Sequence, residues 1–565
     1  MQPERETTGR IRRAVLLASA SLILAIIMTW PLAIGLGSLG RTGARLTSAG
    51  HSGDNGDGLF SVWNVSWVAR TLVADPVHLF DANIFFPHRN SLAYSEANLI
   101  AGLAGVPVWW TTRNPYATLN VVILLAFSTA FLCAWLLARR LTGDPASATV
   151  AAVFFAFCPY VFSHTSHIQL MLTGGIPLSM LMMHRLADAP SVKRGLALGL
   201  ALCVQALACA YYGIFSALMV GYAVLFFSIS RGLARSGSWW KGVCVAALVS
   251  IAAVVPFILP FIDIQQEQGF SRTLADAVRY SANASSYLTS SAPAHGWLRE
   301  LTSSWPRYIE VMFPGIGLLV LAAAGAVAAL SARTGGAPRE RETALLYGSL
   351  AILAFWASFG PSGGLYRLLY HIPMFSFLRA PSRMAIVVVL CLAVLSALAL
   401  KRLFDLVGSK RNLVAGVLTV VAAAELAIVP FPWERALVAP SPYRVLATLP
   451  KAPVAEFPFY GGRVAWHLHT QYMVFSTTHW MSMMNGYSDH TPAQFRTDAV
   501  ILDSFPSNDS FRVLQRARVR YIGVHWDMFG PRAAEIRQRL EPYAANLRAL
   551  GSDDRMTLYE IVTFP

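Results

Sequence analysis

Apolar runs of about 20 residues recur along most of this chain, separated by short polar stretches. Runs of that length match the hydrocarbon thickness that a helix must cross. Eleven predict spanning helices, over roughly 14–36, 116–138, 148–163, 168–185, 194–210, 212–229, 242–262, 311–331, 343–359, 383–400 and 412–430. The stretch 98–112 is apolar but short and contains Pro107, so it reads as an interfacial or re-entrant piece. The run 194–229 is too long for one crossing, and Tyr211-Tyr212-Gly213 is its expected tight break. The first run follows Arg10, Arg12 and Arg13, as the apolar part of a signal peptide would. It is longer than such a region usually is, and a retained helix is expected.

The pattern changes after Pro430. VAEFPF, VRYIGVHW and RMTLYEIV alternate or cluster like strands, and SNDSFRVLQRA and PRAAEIRQRLEPYAANLRAL have helical periodicity. The expected organisation is a polytopic α-helical membrane domain over 1–430 and a small soluble α/β domain over 431–565.

Composition agrees. Of 565 residues, 55% are hydrophobic and 13% charged, against about 25% charged in soluble globular chains. The net charge of +15 does not point to nucleic acid, because the cations sit between apolar runs. They cluster before the first run, at Arg139-Arg140, from Arg185 to Arg194, from Arg231 to Lys241, from Arg333 to Arg341 and from Lys401 to Arg411. The intervening connections near 164–167 and 210–213 carry none, and 360–382 carries Arg367 and Arg379. The positive-inside bias then predicts a cytoplasmic N-terminus and an external C-terminus. It puts the first outer loop 37–115, the long loop 263–310, the segment 360–382 and the tail on one side. The six cysteines all lie in apolar runs without a CxxC pair, so neither a zinc site nor a disulfide framework is expected. The chain carries no P-loop or dinucleotide fingerprint, which argues against cytosolic nucleotide chemistry.

HSGDNGDGLF places Asp54 and Asp57 among glycines just past the first run. Asp57 precedes a stretch in which Leu59, Val62 and Trp63 share a helical face. It is a natural cap for an amphipathic helix lying on the membrane. Asp54 has no such task. At the lipid boundary it could serve as a general base or ligate a divalent metal, Mg or Mn.

One apolar helix, an outward loop with paired acids, an interfacial helix, about ten further helices and an outer tail together resemble the GT-C superfamily of integral-membrane glycosyltransferases. The matching text is GDNGDGLFSVWNVSW, DPVHLFDANIFFPHRNSLAYSEANL, FSHTSHIQL and FLRAPSR. The acids here are spaced D-x-x-D, where tight acidic pairs are common in that family. The resemblance implies transfer of a sugar, with inversion, from a polyprenyl-phosphate carrier to an envelope glycan, lipid or protein acceptor outside a bacterial-type inner membrane. It implies that the first-loop acid is catalytic.

A donor of that kind calls for groups at helix ends that meet a phosphate. His164 and His167, spaced i, i+3, end the run 148–163, and Gln169 follows. Arg379 and Arg383 bracket Ala-Pro-Ser, and arginine matches phosphate geometry bidentately. Tyr94 and Glu96 could contact sugar or metal. Asp263, Glu267, Arg272, Asp276 and Arg279 in the long loop read either as a substrate lid or as solvated charge. HWMSMMNGYSDHTP in the tail suits either carbohydrate or domain packing. The rival functions are a lipid or polysaccharide flippase and a non-catalytic envelope assembly protein. Transport predicts ionisable groups deep within spans, and Glu425 is the main one in the sequence.

Overall fold

The computed structural model describes residues 2–42, 45–47, 50–52, 56–269, 273–305, 310–331, 337–372, 375 and 378–565. In it each of the eleven apolar runs contains helix. Among the described residues six helical stretches are long and apolar enough to cross a membrane: Ile11–Met28, Pro115–Thr142, Pro145–Ser163, Ala210–Ser230, Gly237–Gln268 and Pro381–Leu426. Leu99–Thr112 and Ile316–Ser331 are shorter apolar helices.

Local chemistry sets these boundaries. Asn114 accepts from the N–H of Ala117 and Pro115 opens the helix, which ends at Gly143 with φ +74°. Asp144 then caps the next helix through the N–H groups of Ala146 and Ser147. The expected span 148–163 is two helices, Pro145–Ala156 and Pro159–Ser163, because Cys158 is extended ahead of Pro159. The span 168–185 divides likewise into Ile168–Met171 and Gly175–Asp188.

The long run 194–229 breaks at Cys209, which is extended between helices Val192–Ala208 and Ala210–Ser230. The expected break at Tyr211-Tyr212-Gly213 is therefore inside the second helix. Gly213 serves close packing there, since a Cβ would lie 2.5 Å from Ala206 Cα.

The basic clusters meet acids at one end of the helices. Arg140 and Arg231 pair with Asp188, and Arg231 also with Glu342 at 2.7 Å. Glu340 takes Lys401 at 2.7 Å and Arg402 at 2.9 Å, and Arg411 pairs with Asp144. Glu425 lies in the last turn of the helix Arg411–Leu426 and not deep in a span. It accepts from the N–H of Gly317 at 3.1 Å and faces His295 at 3.1 Å.

The tail holds a four-stranded sheet in the order Val454–Phe457, Tyr521–His525, Met556–Ile561, Leu547–Ser552. The first pair is parallel and the others antiparallel. The helical reading of PRAAEIRQRLEPYAANLRAL holds for Ala533–Leu540, but its last residues form the strand Leu547–Ser552, drawn into the sheet by Met556–Ile561. Residues 482–484 bond to Val454 on one side (Val454 N–H to Ser482 O, 2.8 Å). On the other side Met483 bonds to Asn83 O and accepts from Phe86 N–H, at 2.9 and 2.8 Å. The first loop is thereby stitched to the tail. Near the boundary between them, Leu39–Gly40 pairs with Glu434–Arg435.

Candidate active site

The helix Asp57–Ala74 carries the described acid of the first loop. Gly56 holds the cap position at φ +72°, a left-handed conformation that glycine adopts without cost. A Cβ on Gly56 would lie 2.7 Å from His467 O, and one on Gly58 would lie 2.2 Å from Arg41 O. The glycines around Asp57 thus let the tail and the chain at Arg41 press against the helix start. Asp57 is not the cap expected from the sequence, because it sits one residue inside the helix. Twelve residues of this helix are buried, so it is a packed element and not a surface amphipathic one.

Among the described residues the Asp57 carboxylate meets His167 and Tyr487. Its Oδ2 lies 2.9 Å from His167 Nε2, and its Oδ1 accepts from the Tyr487 hydroxyl at 3.0 Å. His167 Nδ1 is buried and has no hydrogen-bond partner among the described residues. His164 turns elsewhere: its Nδ1 lies 2.7 Å from Tyr160 O and its Nε2 3.7 Å from Glu310 Oε2. The two histidine rings are 6.2 Å apart. Gln169 is half-buried in the short helix Ile168–Met171.

The arginines gather around Tyr211. Arg383 is buried, with its guanidinium 4.1 Å from the Tyr211 ring centre. The Arg379 N–H donates to the Tyr211 hydroxyl at 2.9 Å, its guanidinium lies 5.1 Å from the Tyr280 ring centre, and it pairs with Asp489. Next to Tyr280 a cavity of about 530 Å³ is lined by residues including Val278, Ser281, Asn283, Phe359 and Ser362.

Glu96 belongs to the same cluster. Its Oε2 is buried without a hydrogen-bond partner among the described residues, and Cys209 Sγ approaches Oε1 at 3.9 Å. Burial pushes this carboxyl up to about 7, while Arg383 and the N–H groups of Ala210 and Tyr211 pull it down and Asp489 raises it. Tyr94 is buried, stacks on His490 at 5.8 Å, and its hydroxyl is pushed up to about 12, mainly by burial.

Asp54 lies outside the described residues, as does Arg272. A divalent ion takes more ligands than the Asp57–His167 pair supplies. Among the described residues no group of three or more His, Cys, Asp or Glu is arranged to hold a metal.

Sequence reasoning missed Tyr487 and Tyr211, and it did not pair Asp489 with Arg379. The one signal was the density of aromatic and polar residues in HWMSMMNGYSDHTP. That stretch does the packing weighed for it: Met481, Met483 and Asn485 are buried, and Tyr487 and Asp489 reach Asp57 and Arg379.

Residues 72–427 match the family model described as a domain of unknown function, DUF6311. The chain belongs to the DUF6311 family. The match begins after Asp57 and ends before the tail. No curated protein matches the chain. Among solved structures, the arabinofuranosyltransferase AftD from Mycobacteria aligns with a TM-score of 0.56 and 14% identity, over 98% of the DUF6311 chain and 40% of its own. A mutant form of AftD gives 0.58 and 15%, over 97% and 41%. The oligosaccharyltransferase of Archaeoglobus fulgidus, solved with Zn and sulfate, aligns at 0.43 and 15%, over 92% and 69%. The DUF6311 chain thus spans well under half the length of AftD. At these identities the likeness to AftD is one of fold, and the fold of the DUF6311 chain is the GT-C fold that the sequence resembles.

Proposed function

We propose that this chain is a membrane glycosyltransferase that takes a sugar from a polyprenyl-phosphate carrier and passes it to a glycan, lipid or protein acceptor. It acts at the outer face of a bacterial-type cytoplasmic membrane, with eleven spans, a cytoplasmic N-terminus and an external tail. Asp54 is the general base for the acceptor hydroxyl. The oxygen it frees attacks the anomeric carbon, the carbon–oxygen bond to the phosphate breaks, and inversion follows from the single displacement. Arg379 and Arg383 bind the departing lipid phosphate. Asp57, held by His167 and Tyr487, is the helper that orients the first loop. His164 and Gln169 line the histidine side, and Tyr94 and Glu96 line the arginine side.

The observation that carries this reading is the meeting of Asp57, His167 and Tyr487 with the Tyr487–Asp489–Arg379 run at one end of apolar helices. A lipid-linked donor needs its chemistry there. The position of Glu425 at a helix end weakens the main feature that favoured transport.

The test is turnover of polyprenyl-phosphate sugars by the purified full-length protein, read as release of polyprenyl phosphate. Asp54→Asn is expected to lower the rate about 10²–10⁴-fold. Normal turnover by that variant removes the assigned base, and failure of the folded protein on every such donor removes the function.

A further inference from the structure

The phosphate-binding arginine of the proposed reaction is already engaged. Arg379 pairs with the Asp489 carboxylate, and each side chain keeps about a third of its surface exposed. Asp489 comes from the tail, two residues after Tyr487, whose hydroxyl holds Asp57 at 3.0 Å. One residue further on, the N–H of His490 donates to Tyr94 O at 3.0 Å, and its ring stacks on Tyr94. The four residues 487–490 therefore touch the acid of the first loop, the arginine segment and the loop near Glu96 in one pass.

A carboxylate and a phosphate present the same planar or forked oxygen pair to a guanidinium. A phosphate brings a negative charge of its own to the guanidinium and competes with the carboxylate at a pair that water can reach. Burial and the neighbouring Asp57 push the Tyr487 hydroxyl well above its usual range, so it remains a donor to that carboxylate.

We infer that Asp489 occupies the subsite of the donor phosphate, and that the incoming lipid-linked phosphate displaces it from Arg379 and, through the two-residue link, resets Tyr487, the positioning residue of Asp57. This rests on the transferase reading for its chemistry. Filling of the phosphate subsite and orientation of the first-loop acid are then one event. Free phosphate and a lipid-linked phosphate share the chemistry that does this.

The experiment uses the full-length protein in detergent with two probes, farnesyl phosphate and inorganic phosphate, and reads binding directly. Asp489→Asn keeps the side-chain shape and removes the competing charge. It is expected to tighten farnesyl phosphate about fivefold, the worth of a half-exposed ion pair. The same change in an Arg379→Gln background should give no gain. A gain with both probes supports the inference and marks the phosphate group as what displaces Asp489. A gain with farnesyl phosphate alone supports it and adds the prenyl chain to what is recognised. Unchanged or weaker binding by Asp489→Asn, with an unchanged melting curve, overturns it. Tyr487→Phe should lower kcat while leaving farnesyl phosphate affinity in place, and an unchanged kcat overturns the positioning role. Binding needs no turnover, so the two readings fail separately. A gain without turnover on any donor sinks the transferase, and turnover without the gain sinks the displacement.

Discussion

His167 Nε2 lies 2.9 Å from Asp57 Oδ2, although the two long apolar stretches Pro115–Thr142 and Pro145–Ser163 separate them in sequence. The other oxygen of Asp57 is held by Tyr487, so the carboxylate is fixed at both ends. A group held in this way orients its surroundings, and the proposed base Asp54 is three residues earlier. Asp57→Asn and His167→Ala are each expected to lower kcat about tenfold, well short of the loss from Asp54→Asn. The two changes act on one contact, so the double variant should be no worse than the worse single one. Steady-state rates of the four proteins check this. Additive losses show that the pair does not act as a unit.

Gly58→Ala is a test of how tightly the start of that helix is built. Alanine favours a helix interior over glycine by about 1 kcal/mol. The clash wins here, because the new Cβ would lie 2.2 Å from Arg41 O, a backbone atom that cannot rotate away. Overpacking of this kind costs about 1–3 kcal/mol. The variant should melt earlier and turn over more slowly than the unmodified protein, since Asp57 is the preceding residue. A melting temperature at or above the original shows that the chain at Arg41 gives way easily.

The helices were legible in the sequence because lipid demands long apolar runs, and each of the eleven runs contains helix, with 148–163 and 168–185 each divided in two. What was not legible came from neighbours distant in the chain. The break in 194–229 falls at Cys209, because Gly213 was needed for contact with Ala206 and not for a turn. Leu547–Ser552 reads as helix by itself and becomes a strand only beside Met556–Ile561. Residues expected to line the site do gather, with Asp57 at His167 and Glu96 near Arg383. The tail residues that join these two groups, Tyr487 and Asp489, carry no local mark of that role. His164 shares the i, i+3 spacing with His167, yet it is drawn to Glu310.

The topology read from charge makes a prediction at two exposed positions. Val464 is in the tail, and Ser409 is beside the Arg402–Arg411 cluster at the other end of the helices. In a Cys244→Ser background, which removes the exposed native thiol, Val464→Cys should react with a membrane-impermeant maleimide in intact cells stripped of their outer layers. Ser409→Cys should react only after lysis. The reverse pattern inverts the orientation and with it the proposed side of the reaction.

Glu96 makes stability depend on pH in a stated direction. Its carboxyl is pushed up to about 7 from 4.5, chiefly by burial, so between those values the folded protein holds a proton that the unfolded chain releases. Stability must therefore fall as pH rises from 4.5 to 7, and the loss is complete above that window. Glu96→Gln mimics the protonated form and should flatten this part of the curve, leaving the variant the more stable of the two at pH 8. Parallel melting curves for the two proteins from pH 4.5 to 8 would show that the carboxyl is better solvated than its buried Oε2 implies. Because Arg383 is one of the charges that pulls Glu96 down, Arg383→Gln should move the inflection upward. A phosphate bound at the arginines should do the same, since it neutralises the cation that Glu96 faces. The inflection in the melting temperature thus reports on occupancy of the arginine site without any measurement of turnover.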